Sequence, residues 1–97
     1  MPIYKISSKA KDDLLEIGRF TQKEWGTIKR NHYLKQLDDC FTQIAENPQL
    51  GIKIDFITGG YRKFPQGSHL IFYKLSDSDT VEIIRVLHKS MDVESKL

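Results

Sequence analysis

The stretch "GYRKFPQGSHLIFYK", residues 60–74, decides the fold. Within Phe64-Pro65-Gln66-Gly67, proline fixes φ near about −65°, and two residues later comes a glycine free to take positive φ. That pairing predicts a tight hairpin, read here as a three-residue loop with a glycine bulge. "YRKF" (61–64) is then one strand, "PQGS" (65–68) the turn and "HLIFYKLS" (69–76) the returning strand. Arg62 and Lys63 lie on one side of this turn and His69 on the other.

Period-two patterning continues on both sides of the hairpin. "IKIDF" (52–56) precedes it as a strand, joined by the turn "ITGG", and "TVEIIRVLH" (80–88) comes after it as the last strand. Strict alternation puts His69, Ile71, Tyr73 and Leu75 on one face of their strand and Leu70, Phe72 and Lys74 on the other. In the last strand it groups Val81, Ile83, Arg85 and Leu87 against Glu82, Ile84, Val86 and His88. Both strands are apolar on both sides, so they are expected at the centre of the sheet. The face away from the helices then needs a cover, from the C-terminal tail, a second copy of the chain or a bound protein.

Before residue 50 the period is helical. "IYKI" (3–6) is a short strand, and Ser7 or Ser8 is placed to cap the first helix. In residues 9–25 the apolar positions 10, 14, 17, 20 and 25 make a stripe, widened by Leu15. Asp12, Asp13 and Glu16 suit the positive end of the helix dipole. Gly18 predicts close packing on a neighbouring helix, and Trp25 an anchor for the helical corner. Gly26 ends the helix, and Thr27 is expected to cap a second one over 28–46. Tyr33, Leu34, Leu37, Cys40, Phe41, Ile44 and Ala45 form its apolar face, and Pro48 stops it. Strand, helical hairpin, then strands joined by hairpins predict an α+β domain, with the two helices packed on one face of a mainly antiparallel curved sheet. Residues 1–97 fit one domain, with 89–97 read as a frayed tail.

Composition excludes several function classes. The net charge is +2, and neither half of the chain is a basic arm. The local excess of Lys53, Arg62, Lys63 and Lys74 over Asp55 falls short of the stripe that tight DNA binding requires, so no direct nucleic-acid binding is predicted. The lone Cys40 rules out an intrachain disulfide and reads as a core thiol. His32, His69 and His88 have no metal-ligand spacing, and Gly59-Gly60 is a turn rather than a phosphate loop, so no metal or cofactor is expected. With no apolar run of membrane length and no apolar leader at the start, the expected location is the cytoplasm, with no membrane partner.

Two chemistries compete for the polar residues. A ribonuclease needs a base, an acid and cations for the crowded phosphate, and Arg62, His69, Tyr73 and Arg85, with His88, supply the types. No pair among them has diagnostic spacing. Arg85, inside an apolar strand, demands acceptors; Glu82, Asp92 or a tail carboxylate are the expected partners.

Four segments together carry a resemblance: "LLEIGRFTQKEWG" (14–26), "YLKQLDDCFTQIAENPQLG" (33–51), "YRKFPQGSHLIFYK" (61–74) and "VEIIRVLHKSMD" (81–92). The chain resembles ParE-type toxins of the RelE/ParE superfamily, from bacterial type II toxin–antitoxin modules. The resemblance implies a strand, helical hairpin and curved antiparallel sheet. It also implies neutralisation by a cognate antitoxin, growth arrest and plasmid stabilisation. ParE-type members bind DNA gyrase without catalysis and so block replication, whereas RelE-type relatives cleave mRNA on the ribosome. His69 stands where the RelE branch often has arginine, and Ser90 and Met91 where a basic residue is common in both branches, a departure that weakens a ribonuclease mechanism. A degenerate toxin that keeps only antitoxin binding is a further alternative. By position, the resemblance offers Arg62, Lys63, His69, Arg85, His88 and Asp92 as contacts for a target or partner. A homodimer or a toxin–antitoxin hetero-oligomer both fit it.

Overall fold

A computed structural model describes residues 4–54, 59–91 and 93–97. In chain order its elements are β1 (Tyr4–Ile6), α1 (Ser8–Trp25), α2 (Thr27–Glu46), β2 (Ile52–Lys53), β3 (Arg62–Gln66), β4 (His69–Leu75), β5 (Val81–His88) and the short α3 (Val93–Lys96). The sheet order is β1-β5-β4-β3-β2; β1 runs parallel to β5 and every other pair is antiparallel. This is the expected α+β architecture, with β4 and β5 central. Of the expected 52–56 strand, only Ile52 and Lys53 pair with β3; Asp55 and Phe56 lie outside the described residues, as does Ile3.

The hairpin turn is tighter than the sequence reading. Gln66 pairs with His69 and Pro65 with Leu70, so the strands run on to leave a two-residue loop, Gly67-Ser68. Gly67 has φ 56°, the first-position positive φ that a type II′ turn reserves for glycine. A Cβ there would also meet the Tyr33 hydroxyl at 2.8 Å. Pro65 is tolerated inside β3 because β2 stops opposite Lys63, which leaves Pro65 on a sheet edge.

The helical hairpin buries Ala10 and Ile17 of α1 and Leu37, Cys40, Phe41 and Ile44 of α2 against Ile71, Tyr73, Val81, Ile83 and Val86. At Gly18 a Cβ would sit 3.5 Å from Leu34 Cδ1, an ordinary contact, so the helix packing there does not require glycine. Ser7 is the cap, and it also stitches α1 to the sheet. Its Oγ accepts from Ala10 N (3.0 Å) and donates to Ile84 O (2.7 Å), while its N–H reaches Ile83 O (2.9 Å). One capping expectation fails. Gly26, at φ 90°, occupies the α2 cap position and Thr27 is already helical, so no side chain caps that helix. Asp12, Asp13 and Glu16 fall beyond the first turn of α1, because the helix starts at Ser8.

A β-bulge corrects the strict alternation of the last strand. Phe72 pairs with Arg85 but Tyr73 with Ile83, leaving Ile84 unpaired. One extra residue reverses the phase of every side chain after it. Val81 and Ile83 share the helix face with Val86 and His88, whereas Arg85 and Leu87 fall on the other. That other face does not await a second molecule along its whole length: Phe72, Leu87 and Ile54 form a small second core, closed by Tyr61, Leu70, Val93 and Leu97. Within the 89–97 tail, Val93–Lys96 form α3, and Val93 and Leu97 pack on this second core.

Candidate functional site

Arg85 is the most constrained charge in the described structure. Beyond Ile83 the β5 edge has no strand beside it, since β1 ends at Ile6. Asp13, in the second turn of α1, takes the strand's place. Its Oδ2 accepts from Val86 N (3.0 Å) and Arg85 Nε (2.8 Å), and its Oδ1 from Arg85 Nη2 (2.7 Å). Arg85 Nη1 donates to Lys96 O (3.0 Å), which ties α3 to the same point. The partner is therefore Asp13, not Glu82; Asp92 lies outside the described residues. The Asp13 hydrogen bond, ahead of its charge, raises the guanidinium pKa further. Period alone hides this pairing, because the two residues are 72 positions apart.

The other residues proposed for phosphate chemistry are scattered. Tyr73 is buried, and its hydroxyl is fully used, donating to Pro48 O (2.8 Å) and accepting from Gly51 N (2.7 Å). Arg62 sits opposite Tyr73 and donates to Gly51 O (2.7 Å). These bonds fasten the 48–51 turn to the sheet. His69 pairs with Gln66, four residues along β3 from Arg62, a separation of about 13 Å. Arg85 is three residues along β5 from the His69 partner, His88, and on the opposite face. Lys63 is half-buried on β3, opposite Phe72.

What the fold does bring together is a groove of about 840 Å³ between the helical hairpin and the ends of β4 and β5. Phe20, Trp25 and Ile28 line one side, exposed by 62%, 63% and 86%. Met91, His69 and His88 line it as well, the two histidines from the ends of β4 and β5. Trp25 therefore does not anchor the corner by burial; its ring carries Lys29 Nζ 5.2 Å from the centroid. Phe20 likewise leaves the expected core stripe, because the sheet ends short of that part of α1. Sequence periodicity marks both as apolar helix positions and has no means of telling core from open groove.

The histidines have defined roles at the groove end. Tyr33 Oη donates to Gln66 O (2.9 Å), so its 2.7 Å contact with His69 must carry the proton on His69 Nδ1. Ser90 N donates to His88 Nδ1 (3.1 Å), which places the His88 proton on Nε2. The rings stand edge to face with centroids 5.5 Å apart. Burial, then the nearby His88, holds the His69 pKa below its usual value, with Asp13 acting weakly against them. Burial likewise raises the Tyr33 pKa, so its hydroxyl keeps its proton. Among the described residues, no group of three or more His, Cys, Asp or Glu could hold a metal ion, and no helix is long and apolar enough to cross a membrane.

Known proteins match this architecture along most of the chain. The family model described as "ParE toxin of type II toxin-antitoxin system, parDE" matches residues 4–93. The protein "Toxin ParE1" of Mycobacterium tuberculosis is 38% identical over 94 residues, covering 97% of this chain and 96% of its own. "Toxin ParE1" of Caulobacter vibrioides is 37% identical over 97 residues, covering 100% and 99%. In three dimensions, a chain of the "Chromosomal ParDE TA system from P. aeruginosa" superposes with a TM-score of 0.75 at 16% identity, covering 91% of this chain and 96% of that one.

Proposed function

The chain belongs to the ParE toxins of type II toxin–antitoxin systems, and from that membership we propose that it arrests growth by binding DNA gyrase and is silenced when a cognate antitoxin covers its groove. The mode of action is protein contact rather than catalysis. The burial of Tyr73, whose hydroxyl is committed to Pro48 O and Gly51 N, and the separation of His69 from Arg62 and Arg85 support this, since an acid–base pair needs groups within hydrogen-bond reach of one reacting atom. The observation that carries the binding mode is the groove, where Phe20, Trp25 and Ile28 stay exposed together. Large apolar side chains held in one open concavity mark a partner site. An amphipathic antitoxin segment fits it by helix-in-groove packing. His69 and His88 are the partner contacts at the groove end, and Lys63, with Arg62 beside it, offers the cationic contact at the other end of the hairpin. A gyrase target implies a cytoplasmic location.

Gyrase supercoiling of relaxed plasmid, with purified toxin and with toxin preincubated with antitoxin, tests the reading. Inhibition at near-stoichiometric toxin, relieved by antitoxin, is expected. Unchanged supercoiling together with unchanged cleavage complexes refutes the gyrase target. Ile28→Glu places a charge on an already exposed position, so folding should change by no more than about 0.5 kcal/mol. Antitoxin affinity should nevertheless fall at least about tenfold, read by fluorescence of the single tryptophan, Trp25.

A further inference from the structure

The chain has three histidines, at positions 32, 69 and 88, far apart in sequence, and all three line the same groove. Histidine is the side chain whose ordinary pKa lies nearest neutrality. We infer that filling this groove is coupled to loss of protons from the His69–His88 pair that lines it, so that acid weakens docking of a partner's apolar segment. This rests on the groove being the antitoxin's site.

The argument is one of desolvation. His69 is already half-buried, with Nδ1 against the Tyr33 hydroxyl and its ring edge to face with that of His88. An apolar segment laid over the pair removes the remaining water, which penalises an imidazolium more than an imidazole. A charge on one ring also opposes a charge on the other at 5.5 Å. The surrounding charges do not rescue a proton there. From α2 the groove receives Lys29, which opposes a further cation, and His32, Tyr33 and Gln36. From α1 come Glu16, which is exposed, and Asp13, whose carboxylate is held by Arg85 and Val86 N. From the segment after β5 come Ser90 and Met91, both uncharged, and Ser68 from the hairpin turn. Binding therefore selects the neutral pair, and its affinity falls as protons must be expelled.

The test measures antitoxin affinity for the full-length toxin at pH 7.5 and 5.5 by Trp25 fluorescence. Calorimetry at pH 6.5 in two buffers of different ionisation heat counts the protons exchanged. Circular dichroism confirms folded toxin at both pH values. Affinity about fivefold or more weaker at pH 5.5, with net proton release at pH 6.5, is expected. With the same antitoxin, the pH effect should shrink in His69→Gln and vanish in the His69→Gln/His88→Gln pair, which separates it from titration of the antitoxin itself. Tight binding at pH 7.5 that persists at 5.5 without proton release overturns the coupling and leaves the groove reading intact. Binding at pH 7.5 that Ile28→Glu does not weaken overturns the groove reading, and the coupling with it.

Discussion

Replacing Asp13 with alanine should be among the most damaging single changes outside the core. The carboxylate accepts three hydrogen bonds, two from the Arg85 guanidinium and one from Val86 N. The two side chains, Arg85 and Asp13, are only 16% and 13% exposed. Removing the acceptor leaves a largely desolvated cation and an orphaned strand N–H. Breaking a buried ion pair from one side costs about 3–5 kcal/mol. The residual exposure and the Lys96 carbonyl place this case at the lower end, about 3 kcal/mol. For a chain of this size, each kcal/mol moves Tm by about 4–8 °C, so a fall of about 12–24 °C is expected. Urea unfolding followed by far-UV circular dichroism measures the loss. A cycle with Arg85→Met should give a coupling energy of about 2 kcal/mol. Glu16→Ala, which breaks an ion pair with both side chains more than 70% exposed, should cost no more than about 0.5 kcal/mol. If Asp13→Ala costs under about 1 kcal/mol, or the cycle shows no coupling, the carboxylate is not replacing a strand at the β5 edge and the reasoning fails.

Three further outcomes are expected from the same geometry. Gly67→Ala places a Cβ at φ 56° and 2.8 Å from the Tyr33 hydroxyl; it should destabilise by about 2 kcal/mol or more, seen as a lower urea midpoint at constant m. Tyr73→Phe removes a buried hydroxyl that bridges Pro48 O and Gly51 N; a loss of about 2 kcal/mol with an unchanged far-UV spectrum is expected. Because the folded His69 pKa is depressed below its unfolded value near 6.5, the unfolded chain binds more protons between the two values. The stability of the free toxin should therefore be flat above about pH 6.5, fall as pH drops towards the folded pKa, and level off below it. In His69→Gln that segment of the pH–stability curve should flatten; an unaltered slope would place the titration elsewhere.

Much of this protein is legible in its sequence because the relevant physics is local. A helical period, a capping serine, a proline after α2 and a proline–glycine hairpin each act over a few residues, and together they yield the element order and the α+β class. The four segments that resemble the ParE family likewise carry their signal in short spacings. Even at the hairpin the discrepancy is small: Pro65 and Gly67 mark the turn, and only cross-strand register shows that the loop is Gly67-Ser68.

The features that matter for function are decided in three dimensions. The bulge at Ile84 leaves no local sequence mark, yet it turns Val86 and His88 towards the helices and Arg85 away from them. The Asp13–Arg85 pair joins residues 72 positions apart, and no pattern in either segment identifies the other. Phe20 and Trp25 read as helix-face apolar residues, as core residues do; they line a groove only because the sheet ends beneath them. Three histidines spaced along the chain converge on that groove for the same reason. Backbone propensity and period arise within a few residues, whereas burial, register and the convergence of charges exist only once distant segments pack.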